Sequence, residues 1–191
     1  MSKPKVELLV GDRRTKEFGT WNIWLAEAAT LAAKFSEVED DPFSYNEAAT
    51  VSLLTAAAFQ AGMLGLAEFI STKKNRADRR YNVPGRCDLW LCSETCSWAL
   101  EFKQKFYRKG THKVDTILSW LDEAVVDARA VSHFEADRRF GCLVISFYGS
   151  EDIETEFIEN LHTAIDEVDF AWFVDPNTPH SSSTYFLFQK V

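Results

Sequence analysis

An α/β fold is the class this sequence predicts, and three observations predict it. Apolar residues at helical spacing alternate along the chain with short apolar runs of strand character. Gly, Pro or polar clusters bound most of those runs. The 191 residues are 46% hydrophobic, enough to bury a sizeable core in one domain spanning residues 1–191. No apolar run approaches the ~20 residues that a membrane-spanning helix requires, and Met1 to Lys5 lead into no signal-peptide core. The expectation is a soluble protein of a reducing, cytoplasmic compartment.

In chain order, Val6 to Val10 read as a short strand. Thr15 to Phe35 read as a helix with Phe18, Trp21, Ile23, Trp24, Leu25, Ala28, Leu31 and Ala32 at helical spacing, followed by the acidic run Glu37 to Asp41. Residues 1–43 are expected to form a peripheral element, with Trp21 and Trp24 on one helical face for packing rather than for base stacking. Ser44 or Asn46 can cap an Ala-rich helix that starts at Glu47 and stops at Gly62. Met63 to Thr72 then alternate as a strand, with Glu68 on the face of Leu66 and Ile70. An acid inside an apolar strand is costly unless it is paired or bound, which makes Glu68 a candidate functional residue.

Lys73 to Pro84 read as a basic loop. Lys73, Lys74, Arg76, Arg79 and Arg80 could clamp a phosphate backbone without reading sequence, or be the solvated tip of a hairpin. Arg86 to Cys92 and Ser97 to Lys103 are apolar-rich runs joined by small polar residues, the pattern of a second hairpin. After it come a basic connection containing Lys105, a helix over Lys113 to Val131 and a buried strand over Phe140 to Tyr148. An acidic amphipathic helix over Glu151 to Ile165 and strands at Val168 to Val174 and Thr184 to Lys190 extend the sheet through residues 149–191.

The second hairpin carries the chemistry. With Glu94 and Thr95 at its tip, the register sets Asp88 opposite Glu101, and simple alternation puts Asp88, Trp90 and Cys92 on one face. Like charges opposed across a sheet are destabilising. Two close carboxylates repel unless one protonates or a cation joins them. A divalent metal, Mg²⁺ or Mn²⁺, resolves that conflict through oxygen ligands. Lys103 lies two residues beyond Glu101 and projects toward whatever the carboxylates hold. The plainer reading of Glu101 and Lys103 is the solvated face of a half-exposed strand.

Asp88, then twelve residues, then Glu101-Phe102-Lys103 resembles the signature of the PD-(D/E)XK nuclease superfamily. The Gly85-Arg86-Cys87-Asp88-Leu89-Trp90-Leu91 run is similar to a variant found there, with Cys87 standing where Pro precedes the Asp. The resemblance covers residues 44–148, whose order of helix, three strands, helix, strand matches the superfamily core. It implies a restriction-endonuclease-like mixed sheet flanked by helices and metal-dependent hydrolysis of nucleic-acid phosphodiesters, DNA rather than RNA. Asp88 and Glu101 would be the metal ligands and Lys103 would orient the attacking water. It also implies that a Glu of the first core helix joins the site, so Glu47 is a candidate, although a helix-dipole acid is the competing reading.

The net charge of −8 is unexpected for a protein that acts on nucleic acid, but residues 73–113 hold eleven Lys and Arg against four acids. A basic zone around the site on an acidic body fits local phosphate binding. Two other readings compete with the nuclease. One is a non-catalytic member of the same fold acting as a binding or regulatory subunit, with a homodimer or a protein partner left open. The other is a zinc module built on Cys87, Cys92 and Cys96, whose spacing lacks paired C-x₂-C knuckles and whose strand alternation would separate Cys87 from Cys92.

Overall fold

The structure, a computed structural model, describes residues 3–74, 81–107, 113–147, 151–163 and 168–191. Strand β1 (Lys5–Val10) precedes helix α1 (Lys16–Phe35), which begins where the extended Thr15 accepts the Phe18 N–H through its side chain at 3.2 Å. Asn46 caps α2 (Glu47–Gln60) in the same way, accepting from Ala49 at 2.9 Å. Gly62, at φ 75°, turns the chain out of that helix. The antiparallel strands β2 (Leu64–Lys74), β3 (Asn82–Cys92) and β4 (Ser97–Tyr107) follow. Helix α3 (Val114–Ala130) then crosses over to β5 (Arg138–Phe147), which lies parallel to β4. Helix α4 (Glu151–Thr163) and strands β6 (Phe170–Asp175) and β7 (Thr184–Lys190) come after it.

The strands form one mixed sheet of seven in the order β1-β6-β7-β5-β4-β3-β2, antiparallel except at β4–β5. Among the described residues four helices flank it. Helices α1 and α2 bury Trp21, Trp24, Leu54 and Ala57 against one face, while α3 and α4 bury Ile117, Leu121, Phe157 and Leu161 against the other. The α/β class and the element order are therefore those the sequence predicts. No helix among the described residues is long and apolar enough to cross a membrane.

Two expectations need correction. Residues 1–43 are not peripheral: β1 pairs with β6, and Trp21 lies at the centre of the larger core, fully buried. Its indole meets Trp98, Phe140, Phe170, Trp172 and Phe188 at ring separations of 4.5–6.0 Å. Periodicity located the helix, but nothing in its own sequence told which distant strands it would cover. The second correction is that Lys73 and Lys74 belong to β2 and Asn82 to Pro84 to β3, so the first hairpin is longer and its loop shorter than expected. Arg76, Arg79 and Arg80 lie outside the described residues.

Candidate functional site

The β3–β4 hairpin closes through the Ser93 N–H donating to Cys96 O at 2.9 Å, and its rungs run from Cys92–Ser97 to Leu89–Leu100. This is the register expected from a Glu94-Thr95 tip. The next rung would be Asp88–Glu101, and there the ladder stops. Asp88 Oδ2 itself accepts the Phe102 N–H at 2.6 Å, taking a place that a backbone carbonyl fills elsewhere. The β2–β3 ladder has a matching gap: Ala67–Leu89 and Phe69–Cys87 pair, but Glu68 and Asp88 between them do not. Glu68 holds a φ of 53°, a left-handed conformation that costs a residue with a Cβ roughly 1–2 kcal/mol. Glu68, Asp88 and Glu101 thus form one row across three strands, at the point where the sheet opens.

The two strands also turn over at this row. Ala67 and Leu89 pack with the α1–α2 core, whereas Phe69 and Cys87 pack with Ala99 and with Val131 at the end of α3. Simple alternation therefore fails at Asp88. A break that flips faces is invisible to a pattern of period two. The flip also removes the alternation argument that separated Cys87 from Cys92. Among the described residues these cysteines do not come together as a metal-holding group; burial pushes the Cys87 and Cys96 thiols up. All four cysteines are free.

Glu101 is only 3% exposed, and Lys73 Nζ stands 2.8 Å from its Oε1. The contact is a buried ion pair. Burial first, and the Asp88 carboxylate second, push the Glu101 pKa up to about 7 against the opposing pull of Lys73. Burial raises Asp88 as well, in spite of its bond from Phe102. Glu47, half-buried in the first turn of α2, is raised by burial and then by Asp88, and it is held to β4 by the Gln104 backbone. Gln104 in turn fixes that helix start, accepting from Thr50 at 2.8 Å and donating to Phe43 O at 2.9 Å.

Lys103 Nζ lies 3.0 Å from Asp127 Oδ2 and 3.1 Å from Phe102 O. Burial pulls its pKa down, but Asp127, Glu47 and Asp88 together raise it. Asp88 thus acts on Glu47, Glu101 and Lys103, and Glu47 and Lys103 act on each other. Glu68 is drawn in more weakly, acting on Asp88 and Glu47. The reason for choosing Glu68 needs correction: β2 is the free edge of the sheet, Leu66 and Ile70 are exposed, and Glu68 is exposed beside them with Arg86 at 3.3 Å. Its strained backbone and its place in the carboxylate row, rather than desolvation, mark it.

The basic residues are more engaged than their sequence suggests. Lys73 points inward to Glu101 and is not an outward phosphate clamp. Lys105 reaches Glu123 at 3.6 Å and lies 5.7 Å over the Trp120 ring. Lys74 is exposed and, with Lys73, Gly85 and Asp127, borders a cleft of about 330 Å³. Asp127 is the site residue that sequence reasoning missed. A signal for it exists: Lys103 and Lys105 are two apart on a strand, about 6.6 Å, and Asp127 and Glu123 are four apart on a helix, about 6 Å. Gly141 permits the match, since a Cβ there would come within 2.3 Å of the Val125 nitrogen and push α3 off the sheet.

Among the described residues no three His, Cys, Asp or Glu side chains form a metal-holding group. Two carboxylates do meet the need of a hard cation that keeps several waters, and Asp88 and Glu101 are both disfavoured as free anions. Folding raises the Glu101 pKa from 4.5 to about 7, so the folded chain binds more protons than the unfolded one between those values. Stability should therefore fall as pH rises through that window, by up to about 3 kcal/mol. Glu101→Gln should flatten this fall and be the more stable protein at pH 8. Urea midpoints at pH 5 and pH 8 check it, and parallel changes in the two proteins would place the titration elsewhere. No protein-family model, curated protein or solved structure matches this chain.

Proposed function

We propose that the chain is a metal-dependent nuclease with a restriction-endonuclease-like fold, hydrolysing nucleic-acid phosphodiesters and favouring DNA. The observation that carries this reading is where the hairpin ladder gives way: it stops one rung short of Asp88 and Glu101, the Asp88 carboxylate is close enough to raise Glu101, and Lys103 follows on the same strand. Asp88 and Glu101 would hold Mg²⁺ or Mn²⁺, with Glu47 beside them. When bound, such an ion lowers the pKa of a water and neutralises phosphate charge.

The chain's own residues do the rest. Phe102 N–H fixes the Asp88 carboxylate, so one ligand is oriented by the backbone and not by a free rotamer. Asp127 holds the Lys103 ammonium over β4, where it can orient the attacking water and offset charge that develops on the phosphate. The test is incubation of the purified protein with single-stranded and duplex DNA and with RNA. Cleavage of at least one substrate is expected with Mg²⁺ or Mn²⁺, and none with EDTA.

A non-catalytic nuclease-fold subunit is the second reading. It is favoured by the ion pairs that already engage Glu101 and Lys103, with Lys73 and Asp127 respectively. Nucleic-acid binding without cleavage under any metal would select it.

A further inference from the structure

We propose that Lys73 is the resident counter-cation of this site: its ammonium occupies the place beside Glu101 that a divalent ion takes, so metal uptake is an exchange that moves Lys73 out. The proposal rests on the metal-dependent reading above and assigns Lys73 a part that the superfamily resemblance does not. The Lys73 side chain is 19% exposed and its ammonium stands 2.8 Å from a carboxylate that is 3% exposed. A buried carboxylate needs a cation close by, and removing its partner leaves an uncompensated charge. A divalent ion and an ammonium drawn to the same carboxylate repel each other, so each weakens the other's hold.

The surroundings are built for the exchange. Lys73's stem lies across Gly85, where a Cβ would meet Lys73 Cδ at 2.7 Å, so the missing side chain makes the path the lysine follows. The backbone beside it is pinned, with Ser132 N–H donating to Thr72 O at 2.8 Å and Thr72 N–H donating to Glu135 Oε1 at 2.9 Å. The exchange then needs movement only of the flexible four-carbon side chain. The cleft of about 330 Å³ bordered by Lys73, Gly85 and Asp127 gives the displaced ammonium a wet place to go. The hold on Oε1 is a single ammonium contact at 2.8 Å, which another cation can replace.

The experiment titrates Mn²⁺ into the full chain by calorimetry, with free Mn²⁺ followed by electron paramagnetic resonance and melting temperature recorded with and without the ion. Lys73→Met keeps the stem and removes the charge. It should bind Mn²⁺ about tenfold more tightly than wild type, melt lower without metal, and gain more from Mn²⁺ than wild type does. Glu101→Gln should lose binding in either background. If wild type binds Mn²⁺ and Lys73→Met binds equally or more weakly, the exchange is overturned while the nuclease reading stands. If neither binds, both are overturned. Should Lys73→Met not fold, Lys73→Arg carries the test: a bulkier permanent cation should weaken Mn²⁺ binding severalfold, and unchanged binding overturns the exchange.

Discussion

Glu101→Ala and Lys103→Met are each expected to lower metal-dependent cleavage by roughly 10²- to 10³-fold or more, the scale of losing a metal ligand or a transition-state charge. The two losses should differ in kind. Removing Glu101 takes away one of the two opposed carboxylates, so Mn²⁺ binding and turnover fall together. Its effect on stability should be small or favourable at pH 8, where an ionised and buried Glu101 is itself a cost. Removing Lys103 leaves both carboxylates in place, and its charge matters most as negative charge builds on the phosphate. Turnover should then fall much further than substrate affinity. Single-turnover cleavage with separate binding measurements at pH 8 makes the distinction. Activity that survives in both variants would come from another site or another protein.

The largest effect on stability is expected at Trp21. Trp21→Ala should cost about 3–5 kcal/mol, the range for emptying a large aromatic site that its neighbours cannot refill. Trp21 is fully buried, and the rings of Trp24, Trp98, Phe140, Phe170, Trp172 and Phe188 surround it. Trp21→Phe should cost much less, because the buried indole N–H has no hydrogen-bond partner and its removal relieves an unmet polar group. Urea denaturation of the two variants tests the pair of claims. A loss under about 1 kcal/mol for Trp21→Ala would mean that α1 packs far more loosely than its burial indicates.

Local patterns made much of this fold legible. Asn46 and Gly62 bracket α2 where a cap and a left-handed stop belong, and the Glu94-Thr95 tip gave the hairpin register that opposes Asp88 and Glu101. The ladder itself stops one rung short of that pair, and what stayed hidden depends on contacts between residues far apart in sequence. The turnover of β2 and β3 at Glu68 and Asp88 is set by three strands together. Asp127 enters the site only because α3 settles onto Gly141. Lys73 reads as one more surface lysine until β2 is seen to carry it past Gly85 to a buried acid. The charge count of residues 73–113 misleads for the same reason: Lys73, Arg86, Lys103 and Lys105 all face acids, two of them on α3.

The pairing of β1 with β6 bears on how such a chain reaches its native state. Lys5 to Val10 find their partners among residues 171–175, so one edge of the sheet joins two strands far apart in sequence, β1 being made well before β6. Trp21 likewise waits for Phe170, Trp172 and Phe188 before its pocket exists. Pairings of such long range are slow to form because the closure entropy comes before the reward. Until β6 and β7 are made, α2 can cover part of α1 but the Trp21 side lacks its sheet partners, the kind of apolar surface that aggregates or engages chaperones. Assembly strictly in chain order is therefore closed to this topology: the site's hairpin can form locally and early, whereas the layer that supports it waits for β6 and β7.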